Sequence, residues 1–110
     1  VSIQHKDLAA GRWRELSFIE QMANIGSEVG RSLNWRERNQ PTYSEKALVR
    51  ALELIDLTMD VNRQRGRLRE LARVREALID FVEGTGDFDT SADSWRKYFL
   101  AFAYAARKDR

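Results

Sequence analysis

The stretch Leu16-Ser-Phe-Ile-Glu-Gln-Met-Ala-Asn-Ile-Gly-Ser-Glu-Val-Gly-Arg-Ser-Leu33 decides the fold class. Leu16, Ile19, Ala23, Gly26, Gly30 and Leu33 recur every three or four residues, and Phe18, Met22, Ile25 and Val29 form a second apolar row beside them. That spacing is the 3.6-residue period of a helix, and two adjacent rows make a wide buried face. The periodicity predicts one long helix from about Gly11 to Arg38, stopped by Asn39-Gln40-Pro41 because proline cannot continue the ladder of amide hydrogen bonds.

Working outward, a second helix is predicted from Thr42, with Glu45 three residues on completing a capping box after Pro41. Its apolar positions include Ala47, Leu48, Ala51, Leu52, Ile55, Thr58 and Met59, and it frays near Asn62. Gly66 lies in the next break. A third helix then uses Leu68, Leu71, Val74, Leu78, Phe81 and Val82 and ends at Gly84, a residue suited to a left-handed stop. Residues 84–90 read as a loop. A fourth helix follows, capped by Thr90 with Asp93 or by Ser91 alone. No segment sustains the alternation of a strand, and short connections favour antiparallel neighbours. The reading is all-α, an up-and-down four-helix bundle with a long first helix, residues 1–110 making a single domain.

Composition narrows the chemistry. The 110 residues are 43% hydrophobic and 33% charged, with one proline and six glycines, so disorder and low-complexity repeats are excluded. No cysteine is present, which removes disulfide scaffolds, thiolate zinc sites and cysteine nucleophiles. The single histidine, His5, cannot by itself build a triad, an HExxH site or a di-iron bundle. No apolar run approaches the ~20 residues of a membrane span, and no leader is visible, so the expectation is a cytoplasmic protein without a cofactor.

A formal net charge of +2 conceals segregation. Residues 63–75 hold six basic and one acidic side chain, whereas 76–94 hold six acidic and no basic ones. Arg63, Arg65, Arg67, Arg69 and Arg73 are the candidate anion-binding residues: the guanidinium fork matches phosphate, and cations at a helix start oppose its dipole unless an anion lies near. The competing reading is a solvated face paired with neighbouring acids.

Carboxylates offer the second candidate. Glu20, Asn24 and Glu28 lie four apart on the first helix, and Glu53, Asp56 and Asp60 share a stripe on the second. Carboxylates from two helices are what magnesium requires. Glu53-Leu-Ile-Asp56 resembles the ExxD element of the all-α nucleotide pyrophosphohydrolases, which implies a Mg2+-dependent enzyme with Glu53, Asp56, Glu20 and Glu28 as ligands. The family's glutamate doublet has no counterpart here. Asn24-Ile25 through Gly30-Arg31 loosely resembles a stretch of the four-helix proteins encoded in ribosomal RNA intervening sequences, with one residue too many. Asp87, Asp89, Ser91 and Asp93 alternate as in a calcium loop, but Ala92 and Tyr98 occupy the positions that need glycine and glutamate, so the stretch reads as loop and cap.

Last, Trp95, Phe99, Phe102 and Ala106 can face inward together while Leu100 and Tyr104 cannot join them. Surplus aromatics mark an interface, here assigned to Trp95, Leu100 and Tyr104 in a homodimer. The small residues Ala23, Gly26, Ser27 and Gly30 invite close packing, against the last helix or against a second subunit. The sequence thus points to a small non-enzymatic binding or adaptor protein with an anionic partner such as RNA or DNA. The alternatives are the Mg2+ enzyme and a purely structural oligomer subunit.

Overall fold

The apolar rows that predict one helix from Gly11 to Arg38 instead carry two, because Ser17 interrupts them. The structure, a computed structural model, describes residues 6–84 and 90–108. Helix α1 spans Lys6–Glu15 and α2 spans Phe18–Glu37. Between them Ser17 takes an extended backbone (φ −67°, ψ 161°) and caps α2. The Glu20 amide donates to Ser17 Oγ at 3.1 Å, and the Ser17 amide donates to Glu20 Oε1 at 2.9 Å. This reciprocal capping box satisfies two amides at the helix start and makes a break there preferable to continuation.

Three more helices follow, α3 (Pro41–Val61), α4 (Arg65–Glu83) and α5 (Ala92–Lys108), and no strand occurs among the described residues. The expected Thr42–Glu45 box does not form. Pro41 itself takes the first turn of α3, where its missing amide costs nothing, and Gln40 stands at the cap without a side-chain bond. Asn39 makes the preceding corner in the left-handed region (φ 59°). Gly66 falls inside the first turn of α4 rather than in the break before it. Gly84 ends α4 with φ 75°, a conformation glycine adopts without steric penalty. Ser91 accepts the Ser94 amide on its Oγ at 3.1 Å at the start of α5.

The core draws on four helices. Met22 and Ile25 of α2, Ile55 of α3, and Leu71 and Leu78 of α4 are fully or almost fully buried, and Trp95 and Phe99 of α5 close over them. Each such side chain contributes roughly 1.5–3 kcal/mol relative to exposure. Helix α2 has α3 and α5 as its main neighbours, and α3 also touches α1 and α4. Late α2 meets early α3, where Ser32 and Ser44 each donate a hydroxyl to the other's carbonyl at 2.8 Å. Early α2 meets the end of α3, with Asn62 Nδ2 2.7 Å from Gln21 Oε1. The end of α2 holds the start of α5, since Arg96 forks onto Glu37 with both nitrogens at 2.9 Å. The Cα radius of gyration, 13.7 Å, is close to the ~13 Å of a compact chain this long. Among the described residues no helix is long and apolar enough to cross a membrane.

Gly26 sets the distance between α2 and α5. A Cβ built there would lie 2.7 Å from Phe99 Cβ, an atom tied to the α5 backbone that cannot swing aside. Gly30, on the same stripe, would meet nothing within 4 Å. The two glycines therefore predict opposite outcomes. Gly26→Ala should destabilise the fold by about 1–2 kcal/mol, the strain of overpacking outweighing the gain in helix propensity. Gly30→Ala should stabilise it by roughly 0.5–1 kcal/mol. Urea denaturation midpoints of the two variants measure both, and equal shifts of the same sign would contradict this account.

Candidate functional site

The five candidate arginines divide into three environments. Arg63 lies in the connection after α3, Arg65 opens α4, and Arg69 lies one turn further on. These three line one open groove of about 960 Å³ at the α3–α4 corner, with Met59 and Leu68 as its apolar surface and Asp56 and Asp60 also lining it. All three are exposed, and none forms an ion pair or hydrogen bond with another described residue. Gln64 gives α4 no side-chain cap, and the first turn of α4 carries no acid. Its leading amides thus present unsatisfied donors and the positive end of the helix dipole beside three guanidinium groups. Gly66 in that turn has open space where a Cβ would be.

Arg67 and Arg73 do not join them. Arg67 Nη1 donates to Asn62 Oδ1 at 3.1 Å, and its guanidinium carbon lies 4.8 Å from the Phe18 ring centroid. Arg73 lines a different cavity, about 270 Å³ between α4 and α5, with Glu70 and Tyr98. The 100° step between successive helical residues turns Arg67 about 200° from Arg65 and from Arg69 and so away from the groove, and it carries Arg73, one turn beyond Arg69, about 80° round from Arg65 toward α5. Arg75, the last of the run, forks onto Asp56 at 2.8 and 3.3 Å, which places one of the groove's two acids in an ion pair.

The candidate metal ligands are dispersed among other partners. Glu28 accepts from Arg31 at 2.8 Å and from Arg50 at 3.0 Å, so the polar stripes of α2 and α3 meet as an ion pair. Asp56 is held by Arg75, and Glu20 accepts from the Ser17 amide. Glu53 is half-buried on α3. Among the described residues no three His, Cys, Asp or Glu side chains gather as a metal site would need. Asp87, Phe88 and Asp89 of the calcium-like stretch, and His5, lie outside the described residues.

The interface candidates also separate. Trp95, 5% exposed, packs in the core and donates its Nε1 to Thr90 Oγ1 at 3.1 Å, so it is interior and not interface. Leu100 and Tyr104 remain outside at 60% and 61% exposure.

A buried polar chain behind the arginine corner escaped the sequence reading. Trp13 Nε1 donates to Thr58 Oγ1 at 2.7 Å, and Thr58 Oγ1 donates to Leu54 O at 2.6 Å. Gln21 Nε2 donates to Trp13 O at 2.8 Å, and Asn62 Nδ2 donates to Gln21 Oε1 and to Thr58 O. With Arg67 on Asn62, the chain ties α1, α2, α3 and α4 together. Its trace in the sequence is that Gln21 extends the Ile25–Val29 row, and Thr58 and Asn62 extend the Ala51–Ile55 row, as polar residues at buried positions.

Two outcomes follow. Asn62→Ala leaves the buried Gln21 carbonyl oxygen unpaired and should cost about 1–3 kcal/mol in a denaturant titration. Burial, and then the 2.5 Å hydrogen bond to Glu70, hold the Tyr98 phenol above the usual tyrosine range. The neutral phenol is thus favoured by folding, and its contribution is complete below about pH 10 and lost as pH rises further. Tyr98→Phe should flatten the alkaline decline in denaturation midpoint, and an unchanged decline would rule out Tyr98 as its source. Compared with protein-family models, curated proteins and solved structures, the chain finds no match in any of the three.

Proposed function

We propose that this chain is a small binding protein whose α3–α4 corner holds the phosphate backbone of a nucleic acid, RNA or DNA. The observation that carries the reading is the set of three arginines, Arg63, Arg65 and Arg69, without an ion pair or hydrogen bond among the described residues, around an open groove at the start of α4, which has no side-chain cap. Three like charges and a helix dipole of the same sign repel one another, and an anion in the groove relieves both terms. Arg67 is held aside from the groove by Asn62 and the Phe18 ring. Asp60 opposes the ligand from the same groove and limits its affinity.

The scaffold of this reading is a single domain in which α2 to α5 form an up-and-down four-helix bundle with α1 laid across one end. It is supported by the reversed order of contacts, Ser32 with Ser44 and Gln21 with Asn62 between α2 and α3, Asp56 with Arg75 between α3 and α4, and Glu70 with Tyr98 between α4 and α5. The chain is further read as a homodimer, supported by the exposed pair Leu100 and Tyr104.

Binding to single-stranded and duplex oligonucleotides, followed by fluorescence anisotropy, tests the function. Three phosphate contacts predict a salt slope of about −2.7 on duplex DNA and roughly a 40-fold loss of affinity between about 50 and 200 mM salt. Replacing Arg63, Arg65 and Arg69 together by glutamate should abolish binding, Asp60→Asn should strengthen it, and Arg107→Glu should leave it close to wild type. Absence of association with either nucleic acid at low salt would overturn the proposal.

A further inference from the structure

We infer that two copies of this chain associate through the outer face of α5, antiparallel, with Leu100 and Ala101 at the two-fold axis. The inference rests on the dimer reading above and specifies its surface and orientation.

The exposed residues of α5 include Asp93, Lys97, Leu100, Ala101, Tyr104, Arg107 and Lys108. Steps of three and four between 93, 97, 100, 104 and 107 keep them on one stripe. Along it the apolar residues occupy the middle, an acid stands in the first turn and two bases in the last. Leu100 and Tyr104 are two of the four large hydrophobic side chains exposed among the described residues, and they are one turn apart. Leu100 also borders a shallow groove of about 220 Å³ whose α2 wall is Ala23, Ser27 and Gly30, with room for a partner's side chain.

Charge selects the occupant. A second α5 laid antiparallel about residues 100 and 101 brings Asp93 of one protomer to Arg107 and Lys108 of the other, and Lys97 to the Tyr104 ring. Each contact is made twice, as a two-fold interface requires. The helix dipoles then oppose, which favours the pair. A parallel arrangement would instead place Arg107 and Lys108 against their own copies. Asp93 and Lys97 pair only loosely within one protomer, at 3.2 Å and 77% exposure each, and both are free to re-pair. Arg96 is held by Glu37 and Asn34 and forms a fixed rim. A face about 25 Å long offers less area than the roughly 800 Å² per partner of a standard interface, so the dimer should dissociate in the micromolar range.

Sedimentation equilibrium of the wild type, Leu100→Glu and Tyr104→Glu provides the test, with circular dichroism to confirm that each variant folds. The expected result is a wild-type dimer weakened roughly tenfold or more by either change. Asp93→Lys should weaken it as well, and adding Arg107→Asp and Lys108→Asp should restore it. Because the chain has no cysteine, Ala101→Cys should give a single disulfide-linked dimer under mild oxidation. A monomeric wild type across the micromolar range would overturn the dimer reading and this inference together. A wild-type dimer that survives both glutamates and leaves the Ala101→Cys variant uncrosslinked would overturn only the assigned face.

Discussion

The approach of α5 to α2 at Gly26 is the constraint on which the remaining packing depends. With a side chain at that position Phe99 could not sit where it does, and Phe99 with Trp95 forms the aromatic wall that covers Met22, Ile25 and Val29. The rings of Trp95 and Phe99 stack at 6.1 Å, and Tyr98 meets Phe99 edge-on at 5.0 Å, so a displaced Phe99 would disturb the whole group. Helix α2 is buried on two sides because it packs against α3 as well. Gly26 lowers the helix propensity of α2 by about 1 kcal/mol relative to alanine, and the close contact of two helices offsets that loss.

Electrostatics follow from the same packing. Contacts between helices bring Glu28 to Arg50, Asp56 to Arg75 and Glu37 to Arg96, so two of the acids that the sequence offers as ligands, Glu28 and Asp56, are already held in ion pairs. The arginines of the 63–75 run are only partly absorbed in this way. Those facing α3 or α2 find a carboxylate, an amide or an aromatic ring, and those at the exposed corner find none among the described residues. The corner is therefore a by-product of helix geometry as much as of composition.

Much of the architecture was legible. The helical period, the apolar faces, the stop at Gly84 and the inward set of Trp95 and Phe99 all appear in the spacing of residues. The break at Ser17 was legible in principle, since Ser17 and Glu20 have the capping-box spacing, but the apolar rows run through it without a gap and periodicity outweighed the cap. Thr42 and Glu45 carried the same signature and did not form a box, because Pro41 is better placed to open the helix. The same local pattern thus succeeds at one position and fails at another according to its neighbours in the chain.

The candidate site was legible as a set of residue types and not as a place. Charge counting singled out Arg63, Arg65, Arg67, Arg69 and Arg73, and it could not show that Arg67 turns to Phe18 and Asn62 while Arg73 turns to the α5 side. By itself the sequence determined that the chain is helical, which faces of its helices are apolar and that arginines and carboxylates are its principal chemical groups, because these depend on local periodicity and composition. Which acids are taken up by ion pairs and which arginines stand together were decided only by the tertiary structure. Those pairings join residues up to 62 positions apart, as Asn34 and Arg96 are, and no local pattern encodes the distance between them.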